Sequence, residues 1–570
     1  MIMTTHKLVS PALDFPPDLI ALLTKRSGGA RNLVPIILLL AAFIFLGLTG
    51  HDPWKADEAY IFGIVHSMLE DGSWLVPLVA GEPFMEKPPL YAWVAAWLVR
   101  GLDGWLTAPD AARMTSGLFM ATTCWAIASA ARNWWGDGYG RYGALLLTAC
   151  LGLTVQSHMM MPDVPLLTSF SVACWGYSIA QRRSTAAGLL LGLGVGIGFL
   201  SKGILGPAVI GLTSILLPVC FKQWRETSYR NMLAIALITS LPLLLVWPTL
   251  LYWHAPDLFS TWFWDNNFGR FLGFSAAGRG TEHPPYFWWQ TLPWFTFPVL
   301  PMALYVLWQR WRQIVAHPGM QYTILLTAVM LVVLLFSACV RAVYALPMLA
   351  PLAILAVPSA RSLPLLVNRL WAGGSLILFG VPAAIIWTGW LIMMCTSAVP
   401  QWSWITRYLP ADFVPQFDLA NFSFAAVLTA GACYGIRRYH AVQSPARGLF
   451  SWMIGLTVVW GLLSTLWMPW LDYAKSYTQV FESIPWPHSH ECITSLGLGE
   501  GERAMLDYTA DRLTYRQEVT ARPDCDLLFF QGYVNTGAGV IDSSKWELIW
   551  SGGRPGDSWQ RFWLFRARKL

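Results

Sequence analysis

Charge is scarce in this chain. Asp, Glu, Lys and Arg make up 12% of its 570 residues, while 55% are hydrophobic. That balance excludes a soluble globular protein and indicates a chain that crosses a membrane many times. The nine cysteines lie mostly alone within apolar runs and form no CxxC, which argues against a zinc ribbon or a redox motif. No internal repeat or low-complexity tract is evident. Residues 1–32 carry Lys7, Lys25, Arg26 and Arg31. They are too long and polar, and lack a small-residue cleavage site, to read as a removed signal peptide. They are expected to form a cytoplasmic segment. The net charge of +6 calls for no nucleic acid, since basic inner loops are normal for membrane proteins. What the chain has in abundance is tryptophan, 33 residues, which suits interfacial belts and sugar-facing surfaces alike.

The first apolar run covers residues 33–50, and Arg26 and Arg31 before it hold the N-terminus inside. Pro88–Val99 falls short of the ~20 residues a spanning helix needs. It reads as a helix lying at the outer interface, anchored by Trp93 and Trp97. Later spans are expected near 113–131, 142–157, 165–180, 186–200, 204–220, 231–252, 291–308, 322–339, 343–359, 371–395, 421–436 and 449–468. Arg132 with Arg141, Arg182 with Arg183, Lys222 with Arg225 and Arg230, Arg310 with Arg312, Arg361 with Arg369, and Arg437 with Arg438 then all fall inside. Counting Pro88–Val99 as a span would invert every one of them. The expected fold is an all-α polytopic membrane protein of about thirteen spans. Its membrane domain covers 33–469, with interfacial helices in the outer loop 51–112. Residues 470–570, mixed in polarity, read as a small α/β or α+β domain outside. There Cys492 and Cys525 either pair or remain buried thiols.

With orientation fixed, the informative groups are charges on the outer side, where topology asks for none. They are Lys55, Asp57, Glu58, Glu86 and Lys87 in the first loop, Asp163, Lys202, then Asp265, Arg270, Arg279, Glu282 and His283, and finally Arg341. Ionisable groups at a membrane edge are costly and usually face a cavity or ligand. Converging lysines and arginines suit a phosphate, and acids suit a sugar or an attacking nucleophile. Simpler roles compete. Asp57, Glu58 and Asp163 are well placed as helix-start acids, Lys202 as a snorkelling lysine, and Arg279, Glu282 and His283 as ordinary loop residues. His158 beside Met159, Met160 and Met161 suggests packing more than soft-metal binding.

The run DEAYIFGIVHSMLEDGSWLVPLVAGEPFMEKPPLYAW resembles the first outer loop of the polyprenyl-phosphate-sugar-dependent membrane glycosyltransferases of GT-C type. The nearest resemblance is to the lipid A 4-amino-4-deoxy-L-arabinose transferases and the protein O-mannosyltransferases. The carriers are Asp57-Glu58, Gly72-Ser73-Trp74-Leu75-Val76-Pro77 and Glu86-Lys87-Pro88. The likeness continues at Asp163, Ser201-Lys202-Gly203, Asn267 to Phe271 and Arg341 to Pro347, and ends on GGRPGDSWQRFWLFR. It implies inverting transfer of a sugar from an undecaprenyl-phosphate donor to lipid A or a related glycolipid at the outer face of the bacterial inner membrane. A protein or envelope-glycan acceptor is the alternative. Asp57 would be the leading acid, with Glu58 and Asp163 beside it, while Lys87, Arg270, Lys202 and Arg341 would hold the donor phosphate. Glu86, Tyr60, Tyr344 and Asn267 would complete the site. Two departures stand out. Tyr60 and Ile61 replace an expected arginine and tyrosine, and Asn267 replaces a histidine expected as a metal ligand. No cofactor is called for, and a divalent metal near Glu86 is not favoured. The implied partners are the donor, the acceptor and membrane lipids. A transporter of polyprenyl-linked sugars would also use outer cations, but it predicts symmetric halves, and no repeat is present.

Overall fold

The computed structural model describes residues 33–275, 286–441, 445–486, 492–519, 525–535 and 537–568. The expected N-terminal segment 1–32, and Arg279, Glu282 and His283, lie outside the described residues. The rest is mostly helical, with a small sheet near the C-terminus.

Among the described residues, six helices are long and apolar enough to cross a membrane: Ser184–Lys202, Thr227–His254, Pro318–Phe336, Leu365–Thr396, Leu419–Arg438 and Arg447–Lys475. A seventh arises if Phe287–Phe295 and Val299–Gln313, bent by 89°, count together. The expected thirteen is therefore not reached on length and apolarity. The physical reason is fragmentation. The run expected at 142–157 is divided into Gly140–Thr148 and Leu151–Gln156, and that at 343–359 begins as a 3₁₀ turn, Ala342–Met348, before Leu349–Ala356. Val34–Phe45 has only 12 helical residues, about 18 Å at helical rise against a hydrocarbon core of roughly 30 Å. Ala108–Trp135 is 28 residues long but carries Asp110 and Arg113. The segment expected at the outer interface is a helix over Leu90–Gly101, 12 residues long, short of the ~20 a spanning helix needs.

The first loop folds into a compact unit. Lys55 is extended before the helix Ala56–Glu70, whose first turn holds Asp57 and Glu58, where acids complement the helix dipole. A short hairpin follows, β1 (Leu78–Val79) paired antiparallel with β2 (Glu82–Pro83). Its turn places Ala80 at φ 47° and Gly81 at φ 77°, the left-handed pair a tight hairpin demands. Pro88 and Pro89 then lead into Leu90–Gly101, with the Glu86-Lys87 segment between hairpin and helix.

The C-terminal unit is α/β. Its strands are β3 (Ile493–Leu496), β4 (Tyr515–Arg516), β5 (Leu527–Tyr533), β6 (Trp546–Gly552) and β7 (Gln560–Ala567), in the order β4-β3-β5-β7-β6. β3 runs parallel to β4 and β5, and β7 runs antiparallel to β5 and β6. Cys492 and Cys525, at the starts of β3 and β5, form a disulfide. This unit shares one apolar core with the first loop: Phe62, Val65 and Met68 pack with Phe481, Met505, Phe529 and Leu564. A Cβ on Gly63 would sit 2.5 Å from that of Ala504, so the helices Ala56–Glu70 and Glu500–Ala510 meet at near-backbone range. Polar ties add to this. Asp52 accepts from Ser476 Oγ and Thr478 Oγ1, each at 2.6 Å. Arg503 donates to Glu82 at 3.0 Å and to the Ala80 carbonyl at 3.3 Å.

Beneath the first loop lies a fully buried arginine. Arg113 is 0% exposed and donates to Glu58 at 2.7 Å, Asp110 at 3.0 Å, and the carbonyls of Leu48 and His51 at 3.1 Å each. The network binds the end of the first span to the Asp57 helix. Arg113→Ala would leave Glu58 charged and unpaired in the interior, which costs about 3–5 kcal/mol for a buried pair broken on one side. Thermal unfolding of the detergent-solubilised variant is expected to shift well below that of the parent chain.

Candidate active site

Six separate segments deliver charge to one place. Asp57 comes from the first turn of Ala56–Glu70, Glu86 and Lys87 from the loop after the hairpin, and Asp163 opens the helix Asp163–Ile179. Lys202 is the last residue of Ser184–Lys202, Arg270 follows the π-helical turn Thr261–Gly269, and Arg341 precedes the 3₁₀ turn at Ala342. Each acid has a cation. Arg341 grips Asp57 through both carboxylate oxygens, Nη1 reaching Oδ1 at 3.2 Å and Nη2 reaching Oδ2. Arg270 takes Glu86 in the same two-pronged way, at 2.9 and 3.0 Å. Lys202 Nζ lies 3.0 Å from Asp163 Oδ2 and 5.0 Å from the centre of the Tyr344 ring, within cation–π range.

Lys87 is the cation left over. Its Nζ reaches Glu86 Oε2 only at 3.9 Å, and its side chain is 13% exposed. Burial, reinforced by the positive charges of Lys202 and Arg270, pushes its pKa down to about 7. Asp57 moves the other way. Burial works to raise its pKa, but the Arg341 guanidinium and the Tyr60 hydroxyl, which donates to Oδ1 at 3.1 Å, hold it below the usual carboxylate range. The same burial, and the nearby Asp57 and Glu86 charges, push the Tyr60 phenol far up, so Tyr60 stays a neutral donor. Arg341, 54% exposed, forms the open rim, while Asp163 is buried at 4%. Its second oxygen, Oδ1, has no hydrogen-bond partner among the described residues.

Lys55 turns to the Met159 sulfur at 3.5 Å, and most of the other residues singled out from the sequence fall into two groups. Asp57, Tyr60, Glu86, Lys87, Asp163, Lys202, Arg270, Arg341 and Tyr344 share this cluster through the contacts above, and Asn267 flanks it, accepting from the Ile204 amide at 3.2 Å. Glu58 does not: it is 1% exposed and committed to Arg113 and the Met160 amide at 2.7 and 3.3 Å. It is a structural anchor, because the helix turn that points Asp57 outward points its neighbour into the core. His158 sits between the Thr154 and Phe43 carbonyls at 2.6 Å each, which makes it a packing residue. Arg113 and Asn266 were missed. Arg113 carried a readable signal, being another cation at the outer end of an expected span.

The donor set does not fit a metal ion at Glu86. Both Glu86 oxygens engage Arg270, and both ends of the Asn267 amide are committed, Oδ1 to Ile204 and Nδ2 to the Trp262 carbonyl at 2.8 Å. No group of three or more His, Cys, Asp and Glu converges among the described residues.

Residues 86–253 match the family model described as dolichyl-phosphate-mannose-protein mannosyltransferase. The fold is that of ArnT from Cupriavidus metallidurans, solved bound to undecaprenyl phosphate, with a TM-score of 0.69 at 16% identity, covering 95% of this chain and 98% of that one. Among curated proteins, the chain is similar to undecaprenyl phosphate-alpha-4-amino-4-deoxy-L-arabinose arabinosyl transferases. That of Edwardsiella ictaluri is 30% identical over 343 residues, 56% of this chain and 58% of the relative. Transferase 1 of Sodalis glossinidius is 26% identical over 485 residues, 73% of this chain and 81% of the relative. The chain spans about three fifths of the length of the first curated relatives it matches.

The Lys87 environment yields a signed prediction. A phosphodiester bound beside Lys87 would restore the charged ammonium, so binding in the range above pH 7 would take up a proton, and affinity would fall as pH rises through that range. Calorimetry at pH 8 in two buffers of different ionisation enthalpy should register this uptake, approaching one proton per ligand, and Lys87→Met should remove it.

Proposed function

We propose that this chain is an inverting glycosyltransferase that moves a sugar from an undecaprenyl-phosphate donor onto lipid A, or a related envelope glycolipid, at the periplasmic face of the inner membrane. The observation that carries this reading is the charge inventory of the cluster. Asp57, Glu86 and Asp163 are each paired, and Lys87 stands as an additional buried cation beside Lys202 and Arg270. Such a site has a place for one compact anion at a membrane edge, and a polyprenyl phosphodiester is one whose tail remains in lipid.

The chemistry follows from that charge. The bond from the sugar's anomeric carbon to the phosphate oxygen breaks, and an acceptor oxygen attacks the opposite face. The departing phosphate gains a second negative charge, which Lys87 and Arg270 are placed to stabilise. One preorganised contact of that kind is worth on the order of 3 kcal/mol in the barrier. Asp163 Oδ1, which has no hydrogen-bond partner among the described residues, is an acceptor for a hydroxyl or amine on the sugar. Asp57, held anionic and gripped by Arg341 and Tyr60, is a poor proton acceptor. It therefore orients the nucleophile rather than deprotonating it, which suits an acceptor already ionised, such as a lipid A phosphate. No step requires a metal.

One finding supports a second reading: the match of residues 86–253 to the protein mannosyltransferase model favours a protein or glycan hydroxyl as acceptor. Mass spectrometry of lipid A from cells with and without the chain separates the two. The first reading predicts a sugar-sized increment on lipid A, lost in Asp57→Asn and Lys87→Ala although both variants reach the membrane at parental levels. Unchanged lipid A would transfer the case to protein or glycan acceptors. Full activity in both variants would sink the site assignment.

A further inference from the structure

The cations of the cluster sit on separate segments, and something must hold those segments in register. Two adjacent asparagines do this. Asn266 Nδ2 donates to the Met85 carbonyl at 3.1 Å, next to Glu86 and Lys87 in sequence. Asn267 reaches the opposite wall. Its Oδ1 accepts from the Ile204 amide at 3.2 Å, two residues past Lys202, while its Nδ2 is fastened to the Trp262 carbonyl of its own segment at 2.8 Å. Arg270, just beyond, closes on Glu86. The segment is a π-helical turn, Thr261–Gly269, a widened helix common at functional sites. The receiving turn is built for the contact: Gly203 has φ +65°, and a Cβ there would lie 1.8 Å from Asn267 Oδ1. Only glycine lets the amide seat against the backbone at the end of the Lys202 helix.

We propose that Asn266 and Asn267 are positioning residues that lock the Arg270 segment to the Lys87 loop on one side and the Lys202 turn on the other, so that the three cations meet a phosphate at fixed spacing. The inference rests on the reading of this cluster as a donor-phosphate site. Neither asparagine needs to touch the ligand; Asn267 acts through Lys202, and Asn266 through Lys87. A bidentate or tridentate grip on phosphate loses strength when one donor drifts, and misplacement by about an ångström can cost up to roughly 100-fold.

The test uses the full chain in lipid nanodiscs, with undecaprenyl phosphate as probe and its Kd as readout. Asn267→Ala is expected to weaken binding about tenfold, and Lys202→Met to weaken it at least as much. The double variant should lose less affinity than the product of the two single losses, because part of what the amide positions is Lys202 itself. A general structural role would instead make the two losses multiply. Additive losses, or an unchanged Kd in Asn267→Ala while Lys202→Met binds weakly, would overturn the inference alone. An unchanged Kd in Lys202→Met would overturn the phosphate reading and the inference with it. Should Asn267→Ala fail to fold, Asn266→Ala against Lys87→Met carries the same cycle with the same expected non-additivity.

Discussion

Charge at a membrane edge is expensive to hold, and the way this chain holds it shapes the rest of the molecule. A carboxylate or ammonium leaving water loses several kcal/mol of solvation unless a partner meets it in good geometry. Asp57, Glu86 and Asp163 each have that partner in Arg341, Arg270 and Lys202. The pairs leave Lys87 as the group whose charge is not fully matched, and burial lowers its pKa to about 7. In the function proposed above, a phosphate would complete the arrangement electrostatically. The pairs thus do two things at once: they stabilise the charges of the cluster, and they leave it with Lys87 as one cation beyond its three paired acids.

Geometry this demanding needs rigid supports, and they come from parts of the chain far apart in sequence. The Asp57 helix is packed from above by the C-terminal unit, through the close approach of Gly63 and Ala504, and anchored from below by the buried Arg113–Glu58 pair. Asp57 therefore sits on an element held on both sides, which is how a catalytic constellation keeps its spacing. The C-terminal sheet contributes no residue to the ion-pair cluster among the contacts described. Its role in the structure is to brace the first loop, sharing a core with it through Phe62, Phe529 and Leu564.

Much of this was legible because membrane topology supplies a strict expectation for charge. Once orientation was read from the basic inner loops, Asp57, Lys87, Asp163, Lys202, Arg270 and Arg341 stood out as unexplained, and the structure brings them together. Glu58 lies away from the cluster, on Arg113, for a local reason: neighbours on a helix are turned by about 100°, so adjacent acids seldom face one site. The count of thirteen spans is not confirmed by helix length and apolarity among the described residues, because apolar composition does not report helix breaks. Cys150, between Gly140–Thr148 and Leu151–Gln156, is extended at ψ 125°, and nothing in the run around it announces that. The Asn266–Asn267 ties were invisible, since they depend on backbone carbonyls and amides at Met85, Trp262 and Ile204, groups every residue has.

The central claim is that Lys87 and Arg270, with Lys202 close by, form the seat of a polyprenyl phosphate. The most direct measurement is an experimental structure of the full chain in nanodiscs with undecaprenyl phosphate bound. The account predicts phosphate oxygens within hydrogen-bond reach of Lys87 Nζ and the Arg270 guanidinium, with the Asp57–Arg341 pair alongside on the open rim. A phosphate bound elsewhere, with the three ion pairs undisturbed and Lys87 making no contact to it, would contradict the account.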